Sequence, residues 1–276
     1  MNYFELTPEQ LLGPLTEVEQ KFAPKQFFAA GFVGLVQEAA RVSIVGSRKA
    51  STPGLARARK LASLLAGRGI VVVSGLAEGI DTAAHTACIE SGGHTVAVLG
   101  TPLDQVYPRQ NATLQEKIMR EHLCLSQFAR GQTVQRGNFP MRNLTMVLIS
   151  DACVIVDAGQ SSGCIGFGWE ALRLGRPLFI TKALASKPSL QWPAEMIKYG
   201  ASILSDENIE VFFELFPERC GRASIGESFP GPAVIDAVRG KIQVGLDQLD
   251  RGEGIPGDRV LEDLMAYSAN YRRSKA

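Results

Sequence analysis

Between residues 41 and 182 the chain repeats one unit: a short apolar run rich in β-branched residues, a cluster of glycine and hydroxyl residues, then a longer stretch with apolar positions at helical spacing. Apolar runs bounded by turn residues read as strands buried on both faces, and the longer stretches as helices. The runs fall at 42–45, 70–73, 94–99, 123–125, 153–156 and 177–180. Ser51-Thr52-Pro53, a cap followed by proline in the first turn, opens a helix through 66. Further helices are predicted up to 91, from the cap Asn111 to 121, from Asn138 to 150, and after Ser161-Ser162-Gly163. The alternation makes the chain α/β, a parallel sheet with helices on both faces and its ligand site at the carboxyl ends of the strands.

The pattern weakens at both ends. Residues 1–40 place Leu11, Leu12, Leu15 and Val18 at helical spacing and then gather Phe22, Phe27, Phe28 and Phe32, which predicts short helices and a loop packed on the main domain, which spans 41–218. After a last helix at 208–216, residues 219–235 form a glycine, serine and proline linker. Residues 236–276 read as a helical tail, two helices about a turn at 251–256, with charges of alternating sign suited to a solvated face or a docking element.

Charge changes the picture little: 29 Lys and Arg stand against 28 Asp and Glu, so nucleic-acid binding would require a local patch. The five cysteines are widely spaced, with no CxxC pair, which fits reduced packing residues in a cytoplasmic protein. Neither a signal peptide nor a membrane span is expected, and no cofactor or metal is implied.

Two stretches carry the candidate chemistry, VSIVGSR at 42–48 and VVVSGLAEGIDTAAH at 71–85. Each reads as a strand delivering a glycine loop to a helix N-terminus, where unpaired N–H groups and the helix dipole suit an anion. Arg48 and Lys49 stand at the mouth of that crevice. Asp81 reads as a helix cap, Glu78 as solvated, and His85, among alanines, as a buried hydrogen-bonded histidine.

These blocks resemble the DprA/Smf proteins: IVGSR at 44–48, VSGLAEGID at 73–81, AAH at 83–85, GGHTVAVLG at 92–100, LDQVYP at 103–108 and NFPMRN at 138–143, in order. The resemblance implies a Rossmann-like core, a homodimer, and a positive pocket that lays single-stranded DNA across it without catalysis. Carried over by position, Arg48 and Arg142 would contact phosphates and Phe139 would lie beside a base. Gly46, Ser47, Ser74, Gly75, Ser162 and Gly163 would offer donors, with Asn143 beside them in the FPxRN block. Lys49, Arg109, Arg130 and Arg136 would extend the track. Guanidinium forks, amide nests and an aromatic face suit sequence-tolerant binding of a single strand. The chain departs from the family at Leu144-Thr145, where a further basic residue is common, and at Cys164–Phe167, where small polar residues are common.

The resemblance implies a recombinase as protein partner. The tail at 245–264 resembles, over a short stretch, the toxin-binding tail of ParD-type antitoxins, which would imply a toxin as partner and a role in phage defence. Two other readings use the same crevice: a sensor of a nucleotide-derived signal, or a phosphoribohydrolase like the LOG group with Glu170 as acid. The stretch at 161–170, SSGCIGFGWE, lacks the PGGxGTxxE pattern of that group.

Overall fold

The structure, a computed structural model, describes residues 3–216. The N-terminal segment contributes β1 (Tyr3–Leu6), α1 (Pro8–Leu12), α2 (Glu17–Phe22), β2 (Phe27–Gly31) and α3 (Gly34–Gln37). The alternating region follows as β3 (Arg41–Gly46), α4 (Thr52–Gly67), β4 (Val71–Ser74), α5 (Ile80–Glu90), β5 (Thr95–Leu99), α6 (Ala112–Glu121) and β6 (Leu123–Ser126). It continues through α7 (Asn138–Leu148), β7 (Ala152–Asp157), α8 (Cys164–Arg173) and β8 (Leu178–Thr181). The chain then forms α9 (Lys182–Ala185), α10 (Trp192–Lys198), β9 (Ser202–Leu204) and α11 (Ile209–Glu214).

One nine-stranded sheet runs in the order β1-β2-β6-β5-β4-β3-β7-β8-β9. From β3 the chain steps outward through β4 and β5 to β6, then returns by α7 to β7 on the other side of β3. The order therefore reverses between β3 and β7, and a crevice opens outside the carboxyl ends at such a switch point. β4, β5 and β7 are buried along their whole length, so both faces are covered. α4, α5 and α11 pack on one face with α6 beside them, while α7, α8, α10 and the N-terminal helices pack on the other. Each fully buried valine, leucine or isoleucine in these layers contributes about 1.5–3 kcal/mol.

The N-terminal segment forms the expected short helices, α1 to α3, but adds two strands where a loop was expected. Its aromatic run forms β2, which pairs antiparallel with β6 at Phe28↔Ser126, and β1 pairs antiparallel with β2. Phe27 and Ala29 face one layer while Phe28 and Ala30 face the other, a period of two that helical counting obscures. The sheet is thus mixed at this end. A buried ion pair, Arg176 to Glu19 at 2.5 Å, fastens the segment to the main layer.

Of the two expected caps, Ser51 forms its cap bond and Asn111 does not. Ser51 caps α4 by accepting the Gly54 N–H, and Asn208 precedes α11. Asn111 precedes α6 but turns its amide inward, donating to Leu76 O and Thr82 Oγ1. Among the described residues no helix is long and apolar enough to cross a membrane. No group of His, Cys, Asp and Glu there could hold a metal ion. The linker at 219–235 and the tail at 236–276 lie outside the described residues.

Candidate nucleic-acid interface

The loops after β3, β4 and β7 converge at the switch point. The Ser47 N–H donates to Asp157 O at 2.7 Å and the Ile80 N–H to Ser47 O at 3.3 Å. A Cβ at Gly46 would stand 2.8 Å from Asp157 O, and Gly79, at φ +78°, would press one against Ser47 O. Gly79 brings backbone against backbone and Gly46 lies against both Asp157 O and the Ile80 side chain, so their close approach serves the fold.

Two anion positions are already filled by the protein's own carboxylates. Asp81 Oδ2 accepts the N–H groups of Gly75 at 3.2 Å and Ala77 at 3.3 Å. Asp157 Oδ2 accepts the N–H and hydroxyl of Ser51 at the start of α4, and its Oδ1 lies 2.7 Å from Lys187 Nζ. The Ser74 hydroxyl points inward and donates to Ile44 O. Ser74 and Gly75, expected as donors to a ligand, are therefore corrected: the donor of each is spent inside the fold.

Arg142 is also placed differently from expectation. It is 5% exposed, and its Nη1 donates to Gly75 O and to Val98 O, the latter at 3.0 Å. The guanidinium thereby ties α7 to the carboxyl ends of β4 and β5. Burial lowers its pKa while Asp81 holds it up; burial in turn raises the Asp81 pKa, and Arg142 opposes that rise. Cys164, whose thiol burial pushes up to about 11, feels both charges, so the start of α8 meets the same cluster. His85 is buried with Nδ1 2.6 Å from Thr95 Oγ1, and burial takes its pKa down to about 3. The four described cysteines are buried free thiols, and Cys220 lies outside the described residues.

The exposed chemistry lies one layer further out. Arg48 and Lys49 face solvent, and the Arg48 guanidinium stands 5.4 Å from the centre of the Phe139 ring. Phe139 rests on Gly100, where a Cβ would come within 2.6 Å of its Cδ1. Its ring centre is 5.3 Å from that of Tyr107, which is 48% exposed. Sequence reasoning missed Tyr107 as a site residue, although it lies in the LDQVYP block. Arg109 and Arg136 are exposed, Asn143 is half-buried, and Arg130 pairs with Asp104 at 3.1 Å. Ser162 is half-buried, its oxygen taking the Cys164 N–H at 3.4 Å, and Gly163 is exposed before α8. Glu170 is held by Arg173 well along α8, away from its N-terminus.

The family model described as DNA recombination-mediator protein A matches residues 8–216. The DNA processing protein DprA of Bacillus subtilis is 32% identical over 197 residues, 71% of this chain and 65% of that protein. Protein Smf of Synechocystis is 38% identical over 170 residues, 60% of this chain and 42% of its own length. The chain therefore spans 42% to 65% of these relatives. Among solved structures, DNA processing protein A of Streptococcus pneumoniae superposes with a TM-score of 0.64 at 30% identity, covering 75% of this chain and 73% of that one. The Helicobacter pylori DNA processing protein A, described for its single-stranded DNA binding mode, shares the fold with a TM-score of 0.66 at 24% identity, covering 78% and 97%. With the family model running from α1 to the end of the described fold, the chain belongs to the DNA recombination-mediator protein A family.

Proposed function

We propose that the chain binds single-stranded DNA across the carboxyl rim of its sheet and acts in DNA processing during recombination, without making or breaking covalent bonds. The observation that carries this reading is the Arg48 guanidinium beside Phe139 on the glycine floor of Gly100. An exposed cation next to an aromatic platform can take a phosphate and a base of one strand, and any base has a π-face. Lys49 and Arg136 extend the positive track, with Ser47, Asn143, Ser162 and Gly163 along its edge. Arg142 serves as a strut beneath the platform. Because Asp81 and Asp157 occupy the amide nests, the rim favours a strand lying across it over a mononucleotide phosphate sunk into a helix N-terminus. The H. pylori protein of this fold binds the same class of ligand.

The test compares oligo-dT, duplex and dTMP by fluorescence anisotropy and calorimetry. Tight binding of oligo-dT with weak binding of dTMP is expected. Equal affinity for dTMP and oligo-dT would favour a nucleotide sensor and refute the reading.

A further inference from the structure

We propose that the rim carries a second nucleotide seat, in the groove between the N-terminal segment and α7, entered by a strand that crosses the first turn of α7. This rests on the reading of the Arg48 and Phe139 face as a single-strand site.

Topology places the groove on the same rim. Gln127 and Phe128 directly follow β6, and Lys25 and Gln26 directly precede β2, which runs antiparallel to β6. Both loops therefore emerge where the carboxyl ends of β3, β4 and β5 emerge. Four strand spacings of about 4.8 Å separate β3 from β2, roughly 19 Å along the rim. Phe139, above the end of β5, lies between them, and Arg136 is exposed just before α7.

The lining suits a nucleotide. The groove has a volume of about 470 Å³, and its apolar wall includes Phe22, Phe28, Leu144 and Met141, the last 53% exposed. The Phe22 ring is held by the Arg173 guanidinium at 3.9 Å. Lys25 is exposed with no ion pair among the described residues, and no acid lines the groove. The side-chain oxygens of Gln127 and Gln132 are engaged by the Thr145 hydroxyl and the Ala129 N–H. Their amide nitrogens, without partners among the described residues, remain to donate. One positive charge, two amide donors and an apolar wall match a phosphate with a base rich in carbonyl acceptors. The absence of acid from the lining, and the groove's place on the same rim as the Phe139 platform, select a nucleotide of the same strand as occupant.

The experiment measures affinity for oligo-dT of increasing length, in wild type, Arg48→Ala and the surface variant Lys25→Ala/Met141→Ala. The double variant is expected to bind the shortest oligonucleotides as wild type does and to lose at least about fivefold in affinity for longer ones. Its salt slope on the longer ones should be smaller by about 0.7, the share of one phosphate contact on a single strand. Arg48→Ala should weaken every length. If Arg48→Ala is weakened while the double variant matches wild type at all lengths, the second seat is overturned and the first site stands. A double variant equally impaired at every length also overturns it, because no separate seat then exists. A wild type that binds no oligo-dT overturns both readings together.

Discussion

Arg142→Met separates a strut from a phosphate ligand. In the fold, Arg142 Nη1 serves two carbonyl oxygens at strand ends, Gly75 O and Val98 O. A hydrogen bond from a charged donor contributes about 1.5–3 kcal/mol, and both bonds here share one nitrogen, so the lower end applies to each, about 3 kcal/mol together. Methionine fills much of the space but leaves both carbonyls unpaired and Asp81 without its neighbouring charge. Urea unfolding at neutral pH should therefore show a loss of about 3 kcal/mol. Phe139 lies three residues earlier on α7, so affinity for oligo-dT should also fall as the platform shifts, while the slope of log K against log salt stays at the wild-type value. A variant with unchanged stability and a slope reduced by about 0.7 would show that Arg142 meets a phosphate directly, and would refute the strut.

Two further outcomes follow from the same geometry. Gly100→Ala would bring a Cβ to 2.6 Å from the Phe139 ring. It should displace the platform and weaken oligo-dT binding by about 1–3 kcal/mol with an unchanged salt slope; binding equal to wild type would exclude Phe139 as a stacking surface. His85 should make the fold sensitive to acid, because burial lowers its pKa from 6.5 to about 3 in the folded state. The unfolded chain then binds the extra proton, so stability from this group is full above pH 6.5 and falls towards pH 3 by about 1.4 kcal/mol per unit. His122, lowered to about 4, adds to the same trend. Urea melts at several pH values should show a shallower slope in His85→Gln; an unchanged slope would assign the acid sensitivity elsewhere.

Much of the core was legible because its strands are short buried runs rich in β-branched residues and followed by a glycine turn, as at Val42–Val45 and Val71–Val73, and parallel sheets buried on both faces demand that pattern. β2 escaped because Phe27 and Phe28 continue an apolar spacing that also fits a helix, and only pairing with β6 decides between them. The rim was legible as a place but not in its detail. Its glycines and hydroxyls announce close backbone approach without saying whether the approaching group is a ligand or the protein itself; at Gly79 it is the loop at Ser47 and at Gly46 it is Ile80 and Asp157. Likewise, no local signal reveals that Asp81 turns back onto Gly75 and Ala77, that Asp157 crosses to Ser51, or that Arg142 points into the sheet. Those are tertiary placements of charges whose residue types suit a ligand equally well.

Arg48 beside the Phe139 platform, with the exposed Lys49 next to it in sequence, would hold a polyanionic strand. The most direct measurement is the salt dependence of oligo-dT affinity in wild type and in Arg48→Ala/Lys49→Ala. Wild-type affinity should fall steeply with salt, and the double variant should bind more weakly with a slope smaller by about 1.4, two phosphate contacts. Identical slopes and affinities in the two proteins would contradict it.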